Sequence, residues 1–257
     1  MKIGFCGGID SYEVIRDAGY DFIEMPVAVV MADKSDEEYK EQRDKLKEMG
    51  IAPMAFNVFV PASYPIIKNY MDGTKEALKY CKVAIERVAD LGGKIIVFGS
   101  GGARRIPEGV DFDTATDMLV EFARDCGDYA KDFGVTIAVE HLNTGECNIL
   151  TSIKEVGEFV KKVDRDNVKV LYDTYHMALE GEDIQNLVDV IDDVVHIHIR
   201  DKEGATYPHK DMDLYKRVNE ILKEADYKGG ISVECRVEDL EKETKLAMEV
   251  IKEVFEL

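Results

Sequence analysis

The chain has 257 residues, 46% of them hydrophobic and 33% charged, with 52 acidic against 33 basic side chains and a formal charge of −19. That composition folds rather than stays disordered, and the length allows a sizeable core. The negative excess repels phosphate backbones and anionic lipid, which argues against nucleic-acid and membrane partners, although a local site can still oppose the global field for one small phosphate.

The opening MKIGFCGG reads directly as a strand with no signal peptide, and no apolar run approaches membrane-spanning length, so the expectation is a cytoplasmic protein. Short apolar runs bounded by turn residues predict eight strands: Lys2–Cys6, Asp21–Met25, Ala52–Phe56, Lys94–Phe98, Val135–Glu140, Val168–Asp173, Val195–Ile199 and Gly230–Glu234. Between them, helical periodicity covers Ser35–Met49, Asp72–Leu91, Asp113–Phe133, Ser152–Val163 and Asp211–Ala225, and Glu238–Phe255 closes the chain. Glycines at 19, 50, 92, 134 and 229 follow helical runs and mark their stops.

Eight β/α units of about 32 residues each predict a single (β/α)8 TIM barrel spanning 1–257, with the active site at the C-terminal ends of the strands. An open doubly wound sheet usually has fewer units and often a glycine fingerprint after its first strand, for which Gly7-Gly8 is too little. The five cysteines, Cys6, Cys81, Cys126, Cys147 and Cys235, are scattered without a CxxC pair, as for free thiols in a reducing compartment.

The strand ends are where chemistry concentrates. Strand five ends in Glu140 and strand six in Asp173; strand seven carries His196 and His198, and strand eight ends in Glu234. Consecutive barrel strands are neighbours, so Glu140, Asp173, His198 and Glu234 are expected to converge at the mouth. Three carboxylates and one imidazole suit a divalent ion, Mn²⁺ foremost, with Mg²⁺, Co²⁺ or Zn²⁺ as alternatives. His198 lies nearer the mouth than His196, which is expected to pack or support from behind.

The phrases AVEHLNTGECNIL, VLYDTYHM, VHIHIRD and ISVEC resemble the xylose-isomerase-like sugar phosphate isomerase/epimerase barrels, which include ketose 3-epimerases, hydroxypyruvate isomerase and inosose dehydratase. The resemblance runs the length of the chain in unit order, and its specific motifs fall within 140–234. It implies metal ligation by Glu140, Asp173, His198 and Glu234, with Glu140 and Glu234 also acting as acid and base. It further implies substrate contacts by His176 and Glu146. The substrate would be a small sugar, keto-sugar or sugar phosphate, and related enzymes often form homodimers or homotetramers.

The chemistry needs these residue types. A proton on carbon beside a carbonyl is a poor acid, and a metal bound to the carbonyl oxygen stabilises the enediolate left when it departs. One glutamate removes the proton and the other returns it, giving an epimer or an aldose–ketose isomer. Loss of a β-hydroxyl from the same intermediate would make a dehydratase acting on an inosose- or dehydroshikimate-type ketone. A non-catalytic sugar-binding barrel and an abasic-site endonuclease are weaker alternatives; the latter needs early histidines, and the first here after the N-terminus is His141.

Around this centre, Asn143 and Glu146 in the loop after strand five are candidates for gripping hydroxyls, and Glu24 ends strand two where it can approach the substrate. Related ketose 3-epimerases carry an arginine six residues after the metal histidine, where this chain has Gly204; Arg200 and Lys202 are the candidate substitutes. Gly99–Arg105 reads as either a phosphate cradle or a tight loop with solvated arginines. Phe56–Pro61 offers either aromatic walls for a sugar or ordinary packing.

Overall fold

The computed structural model describes residues 1–67 and 72–256. Eight parallel strands close in sequence order into a barrel: β1 (Lys2–Cys6), β2 (Phe22–Pro26), β3 (Pro53–Asn57), β4 (Ile95–Phe98), β5 (Thr136–Glu140), β6 (Val168–Asp173), β7 (Val194–Ile199) and β8 (Gly230–Val233). The chain is therefore a (β/α)8 barrel, and the predicted strand boundaries hold to within a residue or two. Glu234 stands one residue beyond β8.

Helix starts follow local capping chemistry. Ser35 and Glu38 form a reciprocal capping box on the helix Asp36–Lys47, while Ser152 caps Ile153–Val163 by accepting from Glu155 N at 3.2 Å. Gly19, Gly50, Gly92 and Gly134 take positive φ at the helix stops, but before β8 the left-handed residue is Asp226 rather than Gly229. Several one- and two-turn helices escaped the periodicity reading, among them Tyr12–Asp17, Gly101–Arg104 and Thr174–Glu180. They are too short to carry a repeat.

The main apolar core lies between the barrel wall and the surrounding helices, where β-branched and aromatic side chains such as Phe5, Ile96, Val139 and Ile197 are fully buried. Inside the barrel, Val97, Ala138 and Leu171 make a smaller separate cluster. The Phe22 ring fills the interior beside Gly4, its partner in register, and a methyl group on Gly4 would overlap that ring. Register also brings Cys6 beside Glu24 and Asp173 beside His198, with Ser232 on the far side of His198. Paired residues in a parallel sheet share a face, so the apolar wall delivers its few polar groups to one interior. Among the described residues, no helix is long and apolar enough to cross a membrane.

Candidate active site

At the C-terminal end of the barrel, Glu140, Asp173, His198 and Glu234 each present a ligand atom, and the four atoms lie within 4.8 Å of one another. His198 Nδ1 faces Glu140 Oε1 at 3.3 Å, Glu234 Oε2 at 3.6 Å and Asp173 Oδ2 at 3.9 Å. His198 and Asp173 are wholly buried, Glu140 nearly so, and the Glu234 side chain keeps 27% of its exposure. Burial alone works against a charged imidazole, yet Glu24 and Glu234 hold His198 well above its ordinary pKa. Burial pushes the Glu140 carboxyl up against the opposing pull of His198.

Asp173 divides its two oxygens. Oδ1 accepts from Tyr175 N at 2.6 Å and His176 N at 3.0 Å, capping the helix Thr174–Glu180. Among the described residues Oδ2 is buried without a hydrogen-bond partner, as is His198 Nδ1. Two orphaned polar atoms turned toward each other among carboxylates fit a cation between them. Their donor set, three hard oxygens and one imidazole nitrogen, suits a divalent ion.

Above the ligand atoms opens a cavity of about 320 Å³. Its walls are aliphatic at Val58, Val60, Ala62 and Leu142, and its polar groups include Asn57, Glu146, His176 and Arg200 beside Glu140 and Glu234. Val58 (φ 53°) and Ser100 (φ 43°) take left-handed backbone there, unusual for a β-branched residue, and Ser100 Oγ accepts from Val60 N at 2.9 Å. His176 Nδ1 accepts from Asn143 N at 3.1 Å, which leaves its proton on Nε2. Arg200 lies over the Tyr175 ring at 4.0 Å and reaches Glu234 Oε2 at 3.5 Å.

The loop that carries Arg200 is built on Asp201, which is completely buried. Its carboxylate accepts from the backbone N–H groups of His209, Lys210 and Asp211 and from the hydroxyls of Thr206 and Tyr215. Gly204 stands in that loop with φ 79°, a conformation that an arginine there would adopt only with strain. Of the two candidate substitutes, Arg200 faces the cavity, whereas Lys202 Nζ donates to Ala178 O at 2.7 Å.

Two sequence expectations need correction, and two open alternatives are narrowed. Glu24 does not approach a substrate: it is fully buried and accepts from His196 Nε2 at 2.7 Å and His198 Nε2 at 2.8 Å. Asn143 grips neighbours instead of lining the cavity, its Nδ2 donating to Glu146 Oε1 at 2.9 Å. Of the two readings of Phe56–Pro61 the packing one holds for the rings, since Phe56 and Phe59 are buried in the core, while Asn57, Val58 and Val60 line the cavity. Gly99–Arg105 borders the cavity through Ser100, Gly101 and Gly102 and sends its two arginines to different environments, Arg105 being exposed. Arg104 is wholly buried and donates to Phe98 O at 2.8 Å and Leu150 O at 3.3 Å, and Arg105 donates to Glu146 O at 2.7 Å. Gly99 matters for another reason: a methyl group there would overlap Glu140 Oε2.

Fold and site together define a sugar-isomerase-type (β/α)8 barrel enzyme. The sequence pattern of the xylose isomerase-like TIM barrel family matches residues 12–254, and the chain belongs to that family. It is 25% identical to the D-psicose 3-epimerase of Agrobacterium fabrum, across 86% of this chain and 77% of that protein. It is 26% identical to the inosose isomerase of Halalkalibacterium halodurans, across 88% of this chain and 82% of the relative. The solved D-psicose 3-epimerase from Clostridium cellulolyticum H10, crystallised with D-tagatose, superposes with a TM-score of 0.86 at 21% identity, covering 99% of each chain.

Proposed function

We propose that this enzyme is a divalent-metal-dependent epimerase or isomerase of an unphosphorylated ketose or cyclic keto-polyol. The observation that carries the reading is the convergence of Glu140, Asp173, His198 and Glu234 directly beneath a cavity of sugar size. The relatives named for ketose and inosose chemistry support it.

These four residues would hold the ion, with Mn²⁺ as the proposed metal. When bound, it supplies a Lewis acid that polarises the substrate carbonyl and stabilises the negative charge left on deprotonation. Glu140 and Glu234 sit three strands apart around the mouth and both line the cavity. One carboxylate takes the proton from the carbon beside the carbonyl, and the C–H electron pair becomes the double bond of the enediolate. The other glutamate then delivers a proton, to the opposite face for epimerisation or to the adjacent carbon for isomerisation. His176 donates its Nε2 proton to a substrate oxygen, and Arg200, stacked on Tyr175, donates to another.

Among the described residues lining the cavity, Arg200 is the one cation, against Glu140, Glu146 and Glu234. A phosphate group would face those three carboxylates, which is why the neutral sugar is proposed. Incubating the Mn²⁺-loaded enzyme in D2O with a panel of ketopentoses, ketohexoses, inososes and their phosphates tests this. Deuterium is expected beside the carbonyl of a neutral ketose or inosose, with the phosphates poorer. No incorporation into any neutral compound overturns the proposal, and an ultraviolet-absorbing enone product would instead mark a dehydratase.

Gly99→Ala is expected to lower kcat by about 100-fold, because displacing the Glu140 carboxylate by an ångström spoils a near-attack arrangement. An unchanged kcat with a folded barrel by circular dichroism would show that Glu140 has room to spare.

A further inference from the structure

Behind the ligand cluster, a second layer of polar groups runs down into the barrel. Glu24 is pinched between two histidines, its Oε2 2.7 Å from His196 Nε2 and its Oε1 2.8 Å from His198 Nε2. All three residues are fully buried. His196 Nε2 also lies 3.1 Å from Ser232 Oγ, while His196 Nδ1 has no hydrogen-bond partner among the described residues. A carboxylate accepts and does not donate, so each histidine places a proton on Nε2 to meet it. With the Nε2 proton committed to Glu24, Nδ1 is the nitrogen of His198 that faces Glu140, Asp173 and Glu234, and a bound ion would take the place of its proton. Glu24 is on β2 and both histidines on β7, with β8 and β1 between them, so the contact spans the barrel interior.

We propose that Glu24 is a positioning residue for the metal centre, fixing the tautomer and ring orientation of His198, with His196 steadying the second oxygen of Glu24. This rests on the metal-dependent reading of the site and extends it to residues that touch neither ion nor substrate. A carboxylate on the far nitrogen of a ligating histidine commonly sets metal affinity by one to two orders of magnitude.

The test titrates Mn²⁺ and Co²⁺ into metal-free wild type, E24Q and H196N by calorimetry and records the visible spectrum of the Co²⁺ forms. E24Q keeps the side-chain shape but replaces one acceptor oxygen with a donor. Its ion affinity is expected to fall about 10–100-fold and its Co²⁺ bands to change, while its circular-dichroism spectrum stays that of the folded barrel. H196N, which retains Glu24, is expected to show a smaller fall. Wild-type affinity and spectrum in E24Q overturn the proposal alone. A wild-type protein that binds neither ion overturns the metal reading and the proposal with it. A readout independent of variant folding comes from ¹⁵N-histidine-labelled wild type loaded with Mg²⁺: His198 is expected to carry its proton on Nε2, and a proton on Nδ1 overturns the proposal.

Discussion

Replacing either Glu140 or Glu234 with glutamine is expected to slow exchange of substrate carbon-bound hydrogen with solvent deuterium by about 10²–10⁴-fold. The amide preserves the shape of the side chain and one oxygen toward the ligand cluster, but it neither takes up nor delivers a proton at neutral pH. Both glutamates belong to the cluster of atoms within 4.8 Å, so ion content must be measured with the exchange rate. Lost exchange in a variant that still holds its ion isolates proton transfer from metal binding. The ion-free variants are expected to melt no lower than wild type, because each substitution removes a negative charge from a crowded set of carboxylates. Exchange at the wild-type rate in either variant would end the two-glutamate mechanism.

Acidification is expected to expose a different residue. His141 follows Glu140 and is fully buried; among the described residues neither ring nitrogen has a hydrogen-bond partner, and Glu182 Oε1 stands 3.9 Å from Nε2. Burial, with smaller contributions from the nearby His176 and Arg104, brings its pKa down to about 3, against the favourable pull of Asp173. The unfolded chain protonates this histidine near pH 6.5, while the folded protein keeps it neutral far below that. Its contribution to stability is thus complete above pH 6.5 and declines as the pH falls toward 3. Between pH 7 and pH 4 the loss amounts to about 3 kcal/mol from this one group. His141→Phe removes the titration and fills the same ring-shaped space, so its urea-unfolding free energy should fall less steeply over that interval. Parallel stability–pH profiles for wild type and H141F would show that His141 finds a partner and does not drive the acid response.

Much of the architecture could be read from residue order because its rules are local. Apolar runs ending in turn residues located the strands, and an acid or histidine closing such a run is conspicuous, which is how Glu140, Asp173, His198 and Glu234 were found. What stayed hidden depends on contacts across the barrel. Glu24 also closes an apolar run, and nothing in its neighbours says whether it meets a substrate or two histidines 172 and 174 positions away. Arg104 looks like a surface cation until the carbonyls of Phe98 and Leu150, the latter 46 residues distant, are placed around it. Asn143 and Phe59 are illegible for the same reason: a loop residue can turn toward the cavity or away from it, and the direction is set by packing. For Asn143 the available signal was spacing, since Glu146 three residues on is within reach of its amide.

The buried carboxylate of Asp201 has a thermodynamic consequence for recognition. By gathering three successive backbone N–H groups and two hydroxyls from the segment after β7, it fixes that segment before any ligand arrives. Arg200, one residue earlier, is held between an aromatic face and a carboxylate, so its long side chain has already surrendered its rotamers in folding. Immobilising such a side chain during association would cost about 0.5–1.5 kcal/mol. A small polyol has few atoms with which to offset that loss. For the proposed substrate class, an Arg200 set in advance would spare that cost, and weak, hydroxyl-by-hydroxyl recognition would suffice.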